Sequence, residues 1–212
     1  MAGDGTKRPY RTSPSVRQAR ADRLEAAARA VESAALRLFE LRGFDGVTVD
    51  DIAGAAGISV RTFYRYFPAK DDVLRAVVRR RAQAVATALT ARPPDEAPMR
   101  SVRRAVQDVV AAEDPTQVAR WVRVVEASLY ATRVMLGVSI LEFNGVLAEF
   151  LGARLGRAPD DLEPAMLAVA AGGIIIAAQT RWYLLGGDLA ATIGDALTVI
   201  DTVVPGRPGA TG

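Results

Sequence analysis

The sequence predicts an all-α protein of about nine helices. Half of its 212 residues are hydrophobic but only 6% are aromatic, which gives the aliphatic, alanine-rich interior that helix-on-helix packing favours. Apolar residues recur every three or four positions along most of the chain, which is the spacing of an amphipathic helix. Proline and glycine interrupt this pattern at several points, and they divide it into separate helices.

Four helices precede the break at Arg92-Pro93-Pro94. Gly43 ends the first helix, and Thr48 and Ser59 are N-cap residues of two short helices. Gly57 provides the turn between these two short helices. The predicted helices cover residues 22–42, 49–56, 60–67 and 70–91.

Five more helical segments follow, over residues 99–113, 115–131, 134–156, 161–186 and 188–203. The boundary near residue 132 is weak, so the second and third segments could form one bent helix. This pattern predicts a flexible basic arm over 1–21, an N-terminal three-helix domain over 22–69, a linking helix with a C-terminal domain over 70–204, and a disordered tail over 205–212.

The composition excludes most kinds of catalytic and metal site. The chain contains no histidine and no cysteine, so it has no imidazole or thiolate for a metal, no Ser-His-Asp relay, no cysteine nucleophile and no disulfide. Lys7 and Lys70 are its only lysines, which disfavours lysine-centred catalysis. We predict a protein that is not an enzyme and that uses no metal and no cofactor.

The longest uncharged run, Pro164 to Thr180, has 17 residues and lies at the lower limit of a membrane-spanning helix. Its two glycines, with Gln179 and Thr180, favour a buried helix of a soluble protein. The N-terminus also lacks the apolar stretch of a secretory signal. We therefore expect a cytoplasmic protein with no membrane partner.

The net charge of +3 is unevenly distributed along the chain. Residues 1–81 contain 16 lysines and arginines against 10 acidic residues, whereas residues 82–212 contain 11 against 14. A basic first third on a mildly acidic remainder indicates a module that faces a polyanion, joined to a module with another role.

The segment from Val49 to Phe67 has the pattern of a helix-turn-helix. Two short helices that cross steeply need a small residue where they touch, a residue tolerant of positive φ in the turn, and apolar residues that attach both helices to a support. Ala53 and Gly57 meet the first two requirements. The third is met by Ile52, Ala56, Ile58, Phe63 and Phe67.

If the two phenylalanines of this segment face the core, the outward side of its second helix suits the DNA major groove. Arg61 can donate two hydrogen bonds to guanine, and Val60 with the Thr62 methyl group can contact thymine methyls. Nearby hydroxyl and charged groups fit phosphate oxygens. The predicted DNA-binding residues are Thr48, Ser59, Val60, Arg61, Thr62, Tyr64, Arg65 and Lys70.

The block from Arg23 to Leu74, centred on GFDGVTVDDIAGAAGISVRTFYRYFPAKDDVL, resembles the DNA-binding domain of the TetR family of bacterial repressors. The resemblance implies a homodimeric, all-helical regulator with three N-terminal helices and a linking fourth helix. It also implies a C-terminal domain that binds a small ligand and forms the dimer. The linking helix is then the expected path of the ligand signal, as the one helix that joins both domains.

The last two helices are the predicted dimer interface. The segment from Leu162 to Leu185 is apolar nearly all round, and such a helix needs neighbours on all sides. The final segment repeats apolar residues at about heptad spacing. Together they predict an isologous four-helix interface between two copies of the chain, which the TetR resemblance also implies.

The C-terminal half is similar to the TetR subgroup that binds acyl-CoA-like ligands and includes the mycofactocin-system regulators. The similarity rests on Leu147, Glu149 and Leu151, on Arg154-Leu155-Gly156 and on Gly186-Gly187-Asp188. It implies an apolar tunnel, at whose mouth Arg120, Arg123 and Arg133 could meet an anion. The candidate lining residues, each of which could instead be an ordinary core residue, are Trp121, Val125, Leu129, Tyr130, Met135, Phe143, Gln179 and Trp182.

The function that combines these features is a dimeric repressor that binds a palindromic operator in double-stranded DNA and is released by a small apolar or acyl-CoA-like effector. A DNA-binding activator shares every feature. A helical enzyme acting on lipid or acyl-CoA would need a positioned acid, base or nucleophile, and only scattered carboxylates such as Glu126 and Glu142 are present. A helical scaffold would leave the charge asymmetry and the helix-turn-helix unexplained.

Overall fold

The computed structural model describes residues 14–203 of the chain. The nine helices of this part are α1 (Pro14–Arg42), α2 (Val49–Ala55), α3 (Val60–Tyr66), α4 (Asp72–Thr90), α5 (Pro98–Ala111), α6 (Pro115–Glu126), α7 (Leu129–Leu155), α8 (Leu162–Leu185) and α9 (Leu189–Val203). Residues 14–203 contain no strand. The predicted all-α fold, with an N-terminal helix-turn-helix domain and a C-terminal helical domain, is confirmed.

The first three helices share one hydrophobic core. We call these three helices, with the loops between them, the head. Phe39 of α1, Ile52 of α2 and Phe63 of α3 are each no more than 2% exposed, and all three belong to the same buried cluster. A side chain from each helix therefore contributes to a common centre, and burial of this apolar area stabilises the head.

The remaining helices form a bundle, which we call the body. The helices α7 and α8 pack mainly on each other, α9 packs on both α5 and α8, and α4 lies between α5, α7 and α1. The helix α6 contacts both α7 and α1. The helices α7 and α8 approach closely at Gly172. A Cβ atom at this position would collide with the side-chain oxygen of Asn144.

The first helix is longer than the sequence pattern predicts. It begins at Pro14, so residues 14–21 of the predicted flexible arm are helical, while residues 1–13 lie outside the described residues. Proline is favoured at the first position of a helix, and the arginine, glutamine and alanine that follow are good helix formers. The predicted tail over 205–212 also lies outside the described residues.

The weak boundary near residue 132 lies instead at Ser128. This residue is the N-cap of α7, and its side chain accepts a hydrogen bond from the backbone N–H of Ala131. The break separates α6 from α7, so the alternative of one bent helix is wrong. Serine is a strong N-cap residue, so Ser128 was the available signal for this boundary.

Two helices, α7 and α8, have the length and apolar composition of membrane-spanning helices. Of the most apolar 18 residues in each, only 17% in α7 and 33% in α8 are buried within the described chain. Both helices therefore expose apolar surface in the part of the chain that the structure describes.

The loop between α4 and α5 is held by Arg154, near the end of α7. Its guanidinium donates hydrogen bonds to the carbonyl oxygens of Pro93 and Pro94, both at 2.7 Å, and to those of Arg92 and Glu96 at 3.3 and 3.2 Å. Proline has no N–H for a backbone ladder, and the carbonyls of this Pro-Pro turn are satisfied by a side chain from another helix.

Glu96 is the centre of an ion-pair network in the same loop. Its carboxylate accepts from Arg92 Nε at 2.9 Å, from Arg104 Nη1 at 2.8 Å and from the hydroxyl of Ser101 at 2.9 Å. These donors, Arg92 first, lower the pKa of Glu96 to about 2. The charged form is therefore favoured in the folded state.

We expect Glu96→Gln to change how the free energy of unfolding depends on pH. A carboxylate whose pKa is lowered by folding stabilises the native state above its unfolded pKa, near 4.5, and this contribution disappears as pH falls through about 2. The stability difference between wild type and Glu96→Gln should be largest above pH 4.5 and should narrow towards pH 2. Urea denaturation at several pH values measures it, and a constant difference would contradict the network.

Candidate nucleic-acid interface and effector cavity

Thr48 begins α2 with a capping box. Its hydroxyl accepts from the backbone N–H of Asp51 at 3.2 Å, and the Asp51 carboxylate accepts from the backbone N–H of Thr48 at 2.8 Å. Arg42, at the end of α1, donates to the same carboxylate at 2.6 Å. Arg42 first, and then Thr48, hold the pKa of Asp51 well below its ordinary value. The start of α2 is thereby fixed to the end of α1.

The turn between α2 and α3 follows the predicted pattern. Gly57 has φ +68°, a left-handed conformation that glycine adopts without strain. The hydroxyl of Ser59 then caps α3 by accepting from the backbone N–H of Thr62 at 3.1 Å. Phe63 and Phe67, with ring centroids 5.6 Å apart, are buried beneath α3, so the opposite side of this helix faces outward.

The outward side of α3 presents Arg61, Tyr64 and Arg65, which are all exposed. The side chain of Arg61 makes no hydrogen bond or ion pair with the side chains and backbone that the structure describes. Arg65 donates to the Tyr66 hydroxyl at 3.1 Å and lies 5.0 Å from the centre of the Tyr66 ring. Two cations and a phenol hydroxyl are therefore available on one face of a helix.

Two predicted DNA contacts on α3 are less accessible than the sequence suggests. Val60 is half-buried and packs against the core of the head. Thr62 is also half-buried, and its hydroxyl lies 2.9 Å from that of Ser59. Both side chains still border the exposed face, but each also has a structural role.

Lys70 differs most from its predicted position. It precedes α4, which begins at Asp72, and its ammonium donates to the carbonyl oxygens of Phe44 and Val47 at 2.8 and 2.9 Å. The same nitrogen lies 4.3 Å from the centre of the Phe44 ring. The loop from α1 to α2 exposes carbonyl groups that an ammonium can satisfy. Lys70 therefore holds this loop rather than projecting freely towards DNA.

A cavity of about 250 Å³ lies among α6, α7 and α8. Four of the predicted lining residues border it: Trp121, Val125, Met135 and Gln179. Two smaller cavities, of about 50 and 40 Å³, adjoin it through Gln179, and Phe143 borders both. Five of the eight predicted residues therefore lie around this group of three neighbouring cavities.

The other three predicted lining residues lie elsewhere. Leu129 is 67% exposed at the start of α7. Tyr130 stacks on Phe44 of the head, with ring centroids 6.0 Å apart. Trp182 is buried, and its indole N–H donates to the carbonyl oxygen of Gly187 at 3.0 Å, so it closes the turn after α8. Composition identified these residues as apolar but not the side of the helix on which they lie.

Several polar residues border the cavity that the sequence did not indicate. The three on α7 and α8 are Thr132, Ser139 and Thr180, and Glu126 ends α6 beside them. Thr132 and Ser139 are seven residues apart, with Met135 and Leu136 between them, so they share one helical face. This polar-apolar-polar spacing was the signal that could have identified them.

Comparisons with known proteins give the family. Residues 33–77 match the family model described as bacterial regulatory proteins of the tetR family, and residues 92–205, more than half of the chain, match the model of the MftR C-terminal domain. The chain belongs to the TetR family of transcriptional regulators. TetR regulators are soluble DNA-binding proteins that act as dimers and bind small-molecule effectors, and they are not enzymes, as the sequence predicts.

Curated TetR relatives include two transcriptional regulators. EthR of Mycolicibacterium smegmatis is 38% identical over 82 residues, which span 37% of each chain. TcmR of Streptomyces glaucescens is 28% identical over 159 residues, or 71% of this chain and 70% of TcmR. A solved structure of Thermus thermophilus FadR, a TetR repressor in complex with lauroyl-CoA, has 22% identity and a TM-score of 0.56. It covers 87% of this chain and 98% of that one.

In this TetR regulator the head contacts the body at more than one helix. Arg120 and Arg123 of α6 both pair with Glu40 of α1, at 2.8 and 3.4 Å, and Arg80 of α4 pairs with the buried Glu32 of α1. The prediction that α4 alone joins the two domains is therefore wrong. Arg120 and Arg123 are also engaged with Glu40, rather than free to bind an anion at a tunnel mouth.

An open groove of about 780 Å³ lies between the head and the body. Its three arginines are paired with carboxylates: Arg29 with Glu25, Arg80 with Glu32 and Arg81 with Glu113. Asp108 and Asp114 also border it. The groove therefore offers no excess positive charge to an anionic ligand.

We expect Lys70→Met to destabilise the protein and Arg61→Met to leave its stability nearly unchanged. Lys70→Met removes an ammonium that holds two carbonyl groups, and should lower the free energy of unfolding by about 1–3 kcal/mol. Arg61→Met alters an exposed side chain without partners, and should change stability by less than about 0.5 kcal/mol. Urea denaturation without DNA measures both. Equal stability of the two variants would show that Lys70 does not hold the loop.

Proposed function

We propose that this TetR regulator is a repressor that binds a palindromic operator as a homodimer and is released by an apolar, acyl-CoA-like effector. The observation that carries this proposal is the position of α6, which borders the cavity with one face and pairs with α1 of the head through the other. We place the DNA-binding domain at residues 22–69 and the effector and dimer domain at 70–204, in a cytoplasmic protein.

The exposed face of α3 is the proposed base-reading surface. Arg61 has no protein partner within the described chain and can donate a bidentate pair of hydrogen bonds to guanine. Val60 and Thr62 border it and can contact thymine methyls. The hydroxyl of Tyr64 and the guanidinium of Arg65 suit phosphate oxygens, and the hydroxyls of Thr48 and Ser59, which hydrogen-bond Asp51 and Thr62 in the free chain, would exchange those partners for phosphate oxygens. Lys70 acts indirectly, since it fixes the loop that precedes α2.

The apolar surface of α8 supports dimer formation through the last two helices. The exposed side of α8 follows a helical stripe of uncharged residues, which are Leu162, Met166, Val169, Gly173, Ala177, Thr180 and Leu184. On α9, Leu189, Ile193 and Leu197 are buried within the body, so α9 presents Asp195, Thr198 and Val199 beside that stripe. We propose that α8 supplies the apolar centre of an isologous interface and α9 its more polar edge.

The cavity supports an apolar effector with an acidic end. Its volume is slightly below the ≈300–1,000 Å³ of ordinary ligand sites, and movement of Gln179 and Phe143 would join it to the two smaller cavities. Arg133 lies one turn before Leu136 of the cavity lining, is exposed, and has no ion-pair partner within residues 14–203. FadR, which shares the fold, binds lauroyl-CoA, and an acyl-CoA combines an apolar chain with phosphates.

The effector signal travels through α6 in this proposal. Trp121 and Val125 face the effector cavity, while Arg120 and Arg123 hold Glu40 of α1. An effector that displaces α6 shifts the end of α1, to which α2 is fixed through Arg42 and Asp51. DNA affinity then falls by the difference in effector affinity between the two arrangements. An activator would use the same geometry, and transcript levels after deletion of the gene distinguish the two.

The DNA-binding proposal predicts different effects for two arginines. Arg61→Ala should weaken operator binding by about 1–3 kcal/mol and relax preference at one base pair, whereas Arg65→Ala should weaken binding to all duplexes alike and reduce the salt dependence. Fluorescence anisotropy with the duplex upstream of the gene, at several salt concentrations, measures both. If Arg61→Ala loses the same affinity for specific and for random DNA, Arg61 does not read bases. If the wild-type protein binds nowhere in the upstream region, the proposal of a repressor is overturned.

We expect Glu40→Gln to weaken the coupling between effector binding and DNA binding. The uncharged amide cannot form the ion pair with Arg120 and Arg123, so operator affinity without effector should persist while release by lauroyl-CoA becomes at least fivefold weaker, which is the lower end of typical coupling. Glu25→Gln, on the same helix and paired with exposed Arg29, is the matched control. If Glu40→Gln leaves the operator at the same lauroyl-CoA concentration as wild type, the effector signal does not pass through α6.

A further inference from the structure

The two tryptophans of the chain are matched in burial but differ in hydrogen bonding. Trp121 and Trp182 are each 8% exposed. The indole N–H of Trp182 donates to Gly187, whereas that of Trp121 has no hydrogen-bond partner within the described residues. A buried indole N–H normally finds a partner, and an unpaired one carries a desolvation penalty. The unpaired donor of Trp121 therefore requires an explanation.

Trp121 lies where a ligand could supply the missing acceptor. It borders both the 250 Å³ cavity and the adjoining 50 Å³ cavity. Gln179 borders the same two cavities, and its side-chain amide makes no hydrogen bond within residues 14–203. The surrounding lining is mainly aliphatic, with Val122, Val125, Met135, Ile175 and Ile176. An indole donor and an amide thus border the same two cavities, whose lining is mainly aliphatic and also includes the hydroxyl of Ser139.

We infer that Trp121 and Gln179 recognise a hydrogen-bond acceptor within the apolar part of the effector, most simply a carbonyl oxygen. This inference rests on the proposed function, because it takes the cavity as the effector site. It adds that the site selects chemistry as well as shape: an apolar chain with a carbonyl binds more tightly than an equally large hydrocarbon. The indole N–H donates to that oxygen, and the Gln179 amide donates beside it.

Arg81 supports the position of the Trp121 ring. Its guanidinium lies 5.5 Å from the ring centre and donates to Glu113 at 2.8 Å. This stacking holds the indole from the side of the groove and restricts its rotation. Trp121 is therefore oriented before a ligand arrives, which limits the entropy lost on binding.

The test uses matched pairs of ligands. Decanones with the carbonyl at positions 2 to 5 are compared with analogues in which a CH₂ group replaces the oxygen, so that shape is retained. Isothermal titration gives each affinity for wild type, Trp121→Phe, Gln179→Leu and Trp182→Phe. For at least one carbonyl position, the ratio of ketone to hydrocarbon affinity should fall about tenfold in Trp121→Phe, fall in Gln179→Leu, and remain unchanged in Trp182→Phe.

Thermal melting without ligand provides the second measurement. Both Trp→Phe variants lose the same ring volume, but only Trp182→Phe breaks a hydrogen bond of the fold, so it should lower the melting temperature more than Trp121→Phe. A ketone preference that survives in Trp121→Phe at every carbonyl position, or its absence in wild type, would overturn the inference while leaving the cavity as an effector site. Binding of neither ligand class would overturn both the inference and the proposed effector.

Discussion

Phe44 lies in the loop between α1 and α2, where four parts of the chain meet. Its ring contacts Phe39 of α1, Tyr130 of α7 and the ammonium of Lys70, at 4.9, 6.0 and 4.3 Å, and its carbonyl oxygen accepts from the same ammonium. The ring is 2% exposed. This contact attaches the loop before α2 to α7 of the body, and it acts together with the Arg42–Asp51 pair that fixes α2 to α1. The loop has no other aromatic residue that could do so.

The helix α6 connects the cavity of the body to α1 of the head. Its apolar side borders a cavity and its charged side faces α1, so a displacement of one side displaces the other. Helices of a packed interior move as rigid units between discrete arrangements rather than deforming continuously. In the proposed function, a ligand in the cavity and DNA on α3 act on the same few contacts, so each would alter the affinity of the other by the same factor.

Sequence reasoning succeeded where the signal is local. Thr48, Ser59 and Gly57 have capping and turn preferences that act within three or four residues, and the structure places them as predicted. It failed where position depends on distant parts of the chain. Tyr130 packs on Phe44, Lys70 reaches back across more than twenty residues, and Glu40 meets α6 from α1. No periodicity encodes these contacts. The prediction that Trp182 lines the cavity failed for a related reason, since the sequence of an apolar helix does not reveal which neighbour each side chain contacts.

Arg154 has a mechanical consequence for α4. Because its guanidinium holds the carbonyl groups after the C-terminal end of α4, that end is attached to α7. The middle of α4 is attached instead to the head through Arg80 and Glu32, and the residues before its first turn are attached to the head through Lys70. If α4 rotates, its C-terminal end is the fixed point, and the displacement is largest at its N-terminal end, which follows α3.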